Sequence, residues 1–209
     1  SADPYTCTGT WAVRPPVTIS DCNTTTWIVK VKIADAFGND PGDNIPFQTQ
    51  DGTAKVTGTY PNFVITGLPL GRTWVQYLVT DACGNTGECR TEVDVFDTTP
   101  PVAVCDEFTV VTLSNNGWAH VFAESFDDGS HDNCTDVTFD VRRMTPGCTA
   151  STTAWTPFVQ VCCEDVGREV MVELRVTDAF GNRNTCMVIL DVQDKVPPVI
   201  TCPINVTIN

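Results

Sequence analysis

The stretch DAFGNRNTCMVILDVQDKVPPVITC, residues 178–202, decides the fold, because a close copy, DACGNTGECRTEVDVFDTTPPVAVC, stands at residues 81–105. Three pairs of landmarks are each 97 positions apart: Asp81 and Asp178, Cys89 and Cys186, Cys105 and Cys202. A fixed period of this length indicates tandem domains. We therefore predict a divergent domain at 1–96, a full domain at 97–193 and the first strand of a following repeat at 194–209.

In the strands that run into these copies, apolar residues recur at every second position, which is the period of a β-strand: Val75, Tyr77, Val79; and Val170, Val172, Leu174, Val176. A strand is predicted at 27–33, with one apolar face and one solvated face that carries Lys30 and Lys32. Gly84 and Gly181 can take positive φ, so each Asp-Ala-x-Gly-Asn segment is predicted to form a hairpin turn between two strands.

Two further strand predictions come from turn residues. The run 11–19 is strand-like, although Pro15 and Pro16 interrupt it. The turn at 115–117, Asn-Asn-Gly, favours a hairpin that joins strands at 108–113 and 118–123. The chain contains no convincing amphipathic helix, and many short strands separated by Gly, Pro and Asn predict β-sandwiches.

The chain contains eleven cysteines, which divide at the repeat boundaries into sets of four, six and one: Cys7, Cys22, Cys83, Cys89; Cys105, Cys134, Cys148, Cys162, Cys163, Cys186; and Cys202. The even sets predict disulfides within each domain and an oxidising, extracellular setting. The alternative, a zinc site, is disfavoured because the spacings are long and irregular. Cys202 either pairs with a cysteine outside this chain or is a free reactive thiol.

Acidic residues outnumber basic ones, 26 against 12, and the net charge is −14. Such a field disfavours nucleic acid and anionic membranes as partners, and no apolar run is long enough to predict membrane insertion.

The one metal that the sequence favours is Ca²⁺, which takes clustered oxygen ligands. The candidate ligands lie in an acidic loop and beside the two Pro-Pro pairs: Asp127, Asp128, Asp132, Asn133; and Asp94, Asp97, Asp191, Asp194. A solvated acidic loop, and linkers stiffened by proline alone, are the alternatives.

The repeated motif resembles the hyaline repeat (HYR) family. It comprises Asp178, Gly181, Asn182, Cys186, Asp194, Pro197, Pro198, Cys202 and Pro203, with the earlier copy at Asp81, Gly84, Asn85, Cys89, Asp97, Pro100, Pro101 and Cys105. The chain is also similar to repeats of very large Bacteroidetes surface proteins associated with type IX secretion, gliding and attachment. These resemblances imply an all-β fold of tandem immunoglobulin-like β-sandwich domains, stapled by disulfides and joined by Pro-Pro linkers.

The resemblance also implies a disulfide pairing. The first and last strands of an immunoglobulin-like sandwich can run side by side, so Cys7–Cys89 and Cys105–Cys186 are expected. Cys22–Cys83 would then join two turns of the first domain. Cys134 would pair with Cys148, Cys162 or Cys163. In Bacteroidetes, the sequence Asp97-Thr98-Thr99 would make Thr98 a candidate for O-glycosylation.

Function follows from these expectations. We predict a structural or adhesive segment of a long extracellular repeat protein at the cell surface, such as a stalk, filament or adhesin. Its partners would be neighbouring repeats, identical subunits or surface glycans. One alternative is a fibre subunit that polymerises by β-strand addition through residues 195–209. Another is a carbohydrate-binding accessory module of a secreted enzyme, with Trp74 as the best candidate for stacking on sugar.

No enzymatic activity is predicted for the chain itself. A Cys-His nucleophile would need a free thiolate beside His120 or His131, and the even cysteine sets argue against one. Paired carboxylates for glycoside hydrolysis remain an alternative, since aspartate is abundant, but none stands in a recognisable catalytic setting.

Overall fold

The computed structural model describes residues 1–148 and 153–202, in two compact units, Ser1–Thr99 and Pro100–Asn209. Both units are built from β-strands, and the described residues contain no α-helix, only two 3₁₀ turns at Ala123–Phe126 and Cys163–Asp165. The all-β prediction is therefore confirmed. Of the strand predicted at 194–209, the described residues 194–202 form no strand, and residues 203–209 lie outside the described residues. No helical segment in 1–148 or 153–202 has the length and apolar content needed to cross a membrane.

Unit 1 is a sandwich of two sheets. Its strands are β1 (Thr8–Ala12), β2 (Thr25–Ile33), β3 (Gln50–Asp51), β4 (Ala54–Thr59), β5 (Asn62–Pro69), β6 (Gly71–Asp81) and β7 (Thr86–Val95). One sheet has the order β1-β5-β4-β3 and the other the order β2-β6-β7. Alternate residues of β2 and β6 face the core, where Trp27, Val29, Val31 and Val75 are almost fully buried, as the alternation predicts.

Unit 2 is also a sandwich of two sheets, but its first strand pairs with its last strand. Its strands are β8 (Phe108–Thr112), β9 (Trp118–Phe122), β10 (Val137–Arg143), β11 (Phe158–Cys162), β12 (Glu169–Asp178) and β13 (Arg183–Gln193). The sheets are β10-β12-β13-β8 and β11-β9. All pairings between these strands are antiparallel except one: β8 runs parallel to β13, from the Phe108–Ile189 pair to the Thr112–Gln193 pair. The first strand of the unit thus lies beside the last, inside an immunoglobulin-like sandwich.

The hairpin predicted around the Asn-Asn-Gly turn at 115–117 is wrong. The turn itself forms, closed by the Gly117 amide on the Ser114 carbonyl at 2.8 Å. However, β8 pairs with β13 and β9 pairs with β11, so the turn carries the chain from one sheet to the other. Leu113 and Val121 consequently meet the same core from opposite sheets.

The strand predicted at 11–19 is also shorter than expected. β1 begins at Thr8 and ends at Ala12, and residues 13–24 form no strand. Proline removes a backbone donor and fixes φ, which stops the ladder before Pro15. The strand β1 pairs with β5 and not with β7, so unit 1 lacks the first-to-last strand pairing of unit 2.

The lysine face of β2 is not solvated at Lys32, which is only 1% exposed. The loop after β2 folds back over this face: Phe47 lies under the Lys32 ammonium at 4.4 Å, and Asp40 accepts its hydrogen bond at 2.6 Å. Alternation of residue types assigns a side chain to a face of a sheet, but it does not show whether a distant loop covers that face.

Each Asp-Ala-x-Gly-Asn segment forms the same closed turn. In the copy that joins β6 to β7, the Asp81 carboxylate accepts hydrogen bonds from the amides of Cys83 and Asn85, both at 2.8 Å. Gly84 takes φ +89° and donates to the Asp81 carbonyl. The segments at 35–39 and 178–182 have the same hydrogen bonds, so the pentapeptide closes by its own side chain wherever it occurs.

The turn provides a matched test of backbone strain. A methyl group added at Gly84 or at Gly87 would meet no atom within 4 Å, but only Gly84 has positive φ. We expect Gly84→Ala to lower the free energy of unfolding by about 1–2 kcal/mol through left-handed strain. Gly87→Ala, the control, should raise it by about 0.5 kcal/mol by restricting the unfolded chain. Urea unfolding with hydrogen exchange of β6 and β7 measures both, and equal effects would contradict the strain argument.

Candidate functional site

A disulfide joins the entry of unit 2 to its last strand. Cys105 lies before β8 in an isolated bridge with Asp127, and Cys186 lies on β13 opposite Leu174. Their Cα atoms are 6.0 Å apart, although the two residues are separated by 81 positions in sequence. The expected Cys105–Cys186 disulfide is therefore present.

A second disulfide, Cys148–Cys162, sits beside a buried ion pair. Arg143 and Asp165 are 3% and 4% exposed, and the guanidinium donates to both carboxylate oxygens, at 2.9 and 2.7 Å. Arg143 also donates to the carbonyls of Thr145 and Gln160, so its charge is surrounded by acceptors. Sequence inspection missed this pair, because 22 positions separate the partners and neither stands in a local motif.

The pair and the disulfide define the electrostatics of this corner. Burial alone would raise the pKa of Asp165, but hydrogen bonds from Arg143 and from the Cys162 amide outweigh burial and hold the pKa of this carboxyl below its ordinary value. Cys148, Cys162 and Asp165 approach within 4.8 Å, a spacing that would suit a metal. The two sulfurs are bonded to each other and cannot act as thiolate ligands, so this cluster is structural.

Two of the other pairings implied by the resemblance are wrong. Cys89 is a free thiol on β7, whereas β1 pairs with β5; Cys7 is disulfide-bonded, but not to Cys89. Cys134 is disulfide-bonded as well, but its predicted partners are not available. Cys148 and Cys162 are bonded to each other, and Cys163 is free.

Free thiols also occur at Cys22 and Cys83, so the expected Cys22–Cys83 disulfide is absent, and at Cys202, for which a free thiol was one of the two expectations. All three are exposed. Cys22 and Cys83 are unbonded but lie close together: the Asn23 side-chain amide contacts both sulfurs, at 3.6 and 3.9 Å. A partner for Cys202 outside this chain stays a prediction.

The acidic loop before β10 uses its carboxylates to hold its own backbone. Asp127 accepts hydrogen bonds from the Gly129 and Ser130 amides, and one oxygen of Asp132 accepts from the Cys134 and Thr135 amides. The remaining candidates of the loop, Asp128 and Asn133, are exposed.

The four candidates beside the Pro-Pro pairs are likewise engaged within their own units. Asp94 forms a two-point ion pair with Arg72, which holds the pKa of this carboxyl below its ordinary value. Asp97, Asp191 and Asp194 accept hydrogen bonds from residues two positions further on, at Thr99, Gln193 and Val196.

One pair of carboxylates in unit 2 comes together although the sequence separates it. Oxygens of Asp132 and Asp178 lie within 4.8 Å of each other, and the Thr135 hydroxyl accepts a hydrogen bond from the Ala179 amide between the two turns. Calcium binding by the acidic loop stays a prediction. Isothermal titration of the full chain with Ca²⁺, with an Asp132→Asn variant as the control, measures it directly.

A buried lysine makes unit 1 sensitive to acid. The Lys32 ammonium and the Gly42 amide hydrogen-bond to Asp40, Arg90 adds its charge, and together they hold the pKa of this carboxyl below its ordinary value. A folded-state pKa below the unfolded value contributes stability that is complete above about pH 4 and is lost as the pH falls through the folded value. We expect urea stability to fall more steeply below about pH 4 in the unmodified chain than in Asp40→Asn. Parallel pH profiles of the two proteins would contradict this assignment.

The aromatic side chains are mostly engaged in packing. Trp27 is buried against Phe63 and Tyr77. Trp74, the proposed sugar platform, is half-buried between Lys32 and Glu92 in strand register, and its indole nitrogen is buried. Glycan binding at Trp74 stays a prediction. The half-buried indole of Trp74 does not present an open face on which a sugar could stack.

The remaining candidates are at the surface. His120 lies on β9, with its ring 4.5 Å from the ring of Phe158, and the His131 imidazole contacts the Gly129 carbonyl. The positions of these two histidines give no further support for a catalytic site. Thr98 is exposed, so O-glycosylation at this position stays a prediction.

The two units together define the chain as a tandem array of immunoglobulin-like sandwiches. No protein-family model matches the sequence, and no curated protein matches it. Among solved structures, human mucin-like protocadherin EC1-2 is 13% identical, with 80% of this chain and 84% of that chain covered and a TM-score of 0.41. The two-domain protein DIP-gamma IG1+IG2 is 12% identical, with coverages of 81% and 84% and a TM-score of 0.35. The N-terminal Ig1-2 module of the Drosophila receptor protein tyrosine phosphatase DLAR is 10% identical, with coverages of 79% and 83% and a TM-score of 0.27. At this distance they are similar in fold class only.

Proposed function

We propose that the chain is a load-bearing segment of an extracellular protein, which serves as a structural or adhesive stalk at the cell surface. Disulfides persist in oxidising compartments, which supports an extracellular setting. The observation that carries the mechanical part is the position of Cys105–Cys186, which connects the entry of unit 2 to its last strand.

This bridge determines where tension travels. A force applied at the two ends of unit 2 passes from residues 100–105 through the disulfide to residues 186–193. The residues between the bridged cysteines lie outside that path, because a covalent bond spans them. Unfolding of the sandwich therefore adds little length while the bridge is intact.

The parallel pairing of β8 with β13 adds a second support. The two strands belong to the opposite ends of the unit, so when the bridge is absent pulling on the ends would slide one strand along the other and load the five residue pairs of the ladder together. Loading of this kind is more resistant than opening a hairpin one pair at a time. Short, proline-stiffened linkers between such units would complete a stalk, and this role for the Pro-Pro pairs is part of the proposal.

Stretching the full chain tests the load path. With handles attached at residues 99 and 195, about 15 residue steps lie outside the bridge, so unit 2 should lengthen by no more than about 50 Å on unfolding. A longer release from oxidised protein would contradict the proposal.

A second candidate function is a fibre subunit that adds a strand to its neighbour. In unit 1, β7 is an edge strand, whereas its counterpart β13 is paired with β8 on that side. The open edge favours addition of a strand, and the proposed donor is residues 195–209 of another copy.

The mass of the native polypeptide under denaturing, reducing conditions separates the two functions. A mass many times that of these 209 residues indicates a covalent array. A mass equal to theirs, with loss of polymer on deletion of 195–209, indicates the fibre.

A further inference from the structure

Unit 1 contains three free thiols near the start of β2 and the β6–β7 hairpin. Two of them, Cys22 and Cys83, contact the same atom, the side-chain nitrogen of Asn23. The Asn23 Nδ2 atom is 3.6 Å from the Cys22 sulfur and 3.9 Å from the Cys83 sulfur. The distance between the two sulfurs therefore cannot exceed the sum of these two contacts. Both thiols are exposed, so a soluble reagent can reach them.

The backbone holds the two cysteines in place. Cys22 lies in a turn that the Asp21 carboxylate closes by accepting a hydrogen bond from the Asn23 amide at 2.8 Å. Cys83 lies in the closed turn of Asp81. Between them, Thr25 pairs with Asp81 at the end of the β2–β6 ladder. Two rigid turns at the end of one ladder give the thiols a high effective concentration.

We propose that Cys22 and Cys83 are a redox site, at which a soluble disulfide such as oxidised glutathione forms a reversible Cys22–Cys83 bond. One thiolate attacks a glutathione sulfur and releases the first glutathione thiolate, which leaves a mixed disulfide on the protein. The second cysteine thiolate then attacks the protein sulfur of this mixed disulfide and releases the second glutathione. Two protein thiols are oxidised, one glutathione disulfide is reduced to two thiols, and the two protons of the protein thiols pass through the solvent to the two glutathione thiolates.

The bond would fasten the segment between β1 and β2 to the rest of unit 1. Residues 13–24 form no strand, and part of this segment forms one wall of a groove of about 370 Å³ whose other wall includes Thr86, Glu88 and Cys89. Oxidation ties this wall to the hairpin beside it. Cys89 lies on β7 opposite Tyr77 and is left as the remaining thiol of the groove.

Redox titration of the full chain tests the site. The protein is equilibrated in glutathione buffers of graded ratio, quenched in acid, alkylated with a maleimide and digested with trypsin and a glutamate-specific protease. Cleavage after Glu88 separates Cys83 from Cys89, and a third protease that cleaves before Asp21 separates Cys22 from the disulfide-bonded Cys7, because trypsin does not cut between Arg14 and Pro15. The expected product is one cross-linked pair of peptides that contain Cys22 and Cys83, with Cys89 still alkylated. Hydrogen exchange of residues 13–24 should slow in step with this product.

Matched variants distinguish the outcomes. Cys89→Ser should form the same cross-link, whereas Cys22→Ser should accumulate a glutathione adduct on Cys83. The titration of the unmodified chain decides the matter even if a variant fails to fold. A Cys83–Cys89 or Cys22–Cys89 cross-link, or separate glutathione adducts on Cys22 and Cys83 at oxidising ratios, would overturn the proposal. Neither result bears on the load path, which depends on Cys105–Cys186.

Discussion

In a chain that carries Cys134→Ser, so that the disulfide of Cys134 does not hold back part of the released length, replacing Cys105 by serine is expected to lengthen unit 2 by about 235 Å when it unfolds between handles at residues 99 and 195. The Cys105–Cys186 bridge encloses 81 residue steps, and the intact Cys148–Cys162 bridge continues to enclose 14 of them. The difference, 81 − 14 = 67 steps at about 3.5 Å each, becomes available in addition to the short release of the unmodified chain. Optical-tweezers stretching of single molecules resolves a change of this size.

The second disulfide, Cys148–Cys162, predicts a further increment of length that the same experiment can measure. Adding Cys148→Ser to Cys105→Ser should lengthen the release by about 50 Å more. This increment corresponds to the 14 steps that the second bridge encloses. Cys202→Ser changes an exposed free thiol outside the bridge and is the matched control, with no expected effect on the length. If Cys105→Ser releases no more length than the unmodified chain, the load does not pass through this bridge.

Asp165→Asn is expected to cost about 3–5 kcal/mol of unfolding free energy in unit 2, because it leaves the Arg143 charge buried without a counter-ion. The guanidinium is 3% exposed and cannot turn to water without opening the corner that it shares with Cys148–Cys162. Domains of this size are stable by only about 5–15 kcal/mol, and the loss is a large part of that total. Urea unfolding with hydrogen exchange of β10 and β12 assigns the effect to unit 2.

A less buried ion pair of the same unit is the control. Asp140 accepts a hydrogen bond from Arg175 at 2.6 Å, and its side chain is 37% exposed. Asp140→Asn should therefore cost less than about 1 kcal/mol. Replacing both buried partners, as Arg143→Met with Asp165→Leu, should recover part of the loss, since no charge remains to be buried. A loss in Asp165→Asn no greater than that in Asp140→Asn would show that water reaches Arg143.

Local signals in the sequence predict local structure well. The Asp-Ala-x-Gly-Asn turns and the strands beside them form as expected, because the turn closes by its own aspartate and the strands bury one face. What the sequence does not contain is the partner of each strand. The sequence of the turn at Asn116–Gly117 is compatible with two outcomes: β9 could pair with β8 as a hairpin, or it could cross to the other sheet.

The same limit explains the cysteine pairing. Cys105–Cys186 was predictable because the first strand of unit 2 lies beside the last, as the resemblance implies. Cys7–Cys89 failed because β1 of unit 1 pairs with β5 instead. The Arg143–Asp165 pair and the covering of Lys32 by Phe47 also depend on contacts between distant segments, for which no spacing rule exists.

The closed aspartate turn itself uses only the backbone of its third residue. The turn uses the first residue's carboxylate, the fourth residue's positive φ and the fifth residue's amide, but only the backbone of the third. That position carries phenylalanine at 37, where the ring is 89% exposed, cysteine at 83 and phenylalanine at 180. In the turns at 35–39 and 81–85, where this side chain is exposed, a single substitution can therefore change the chemistry of the surface at little cost to folding. Repeats of one design can in this way acquire different binding partners independently of one another.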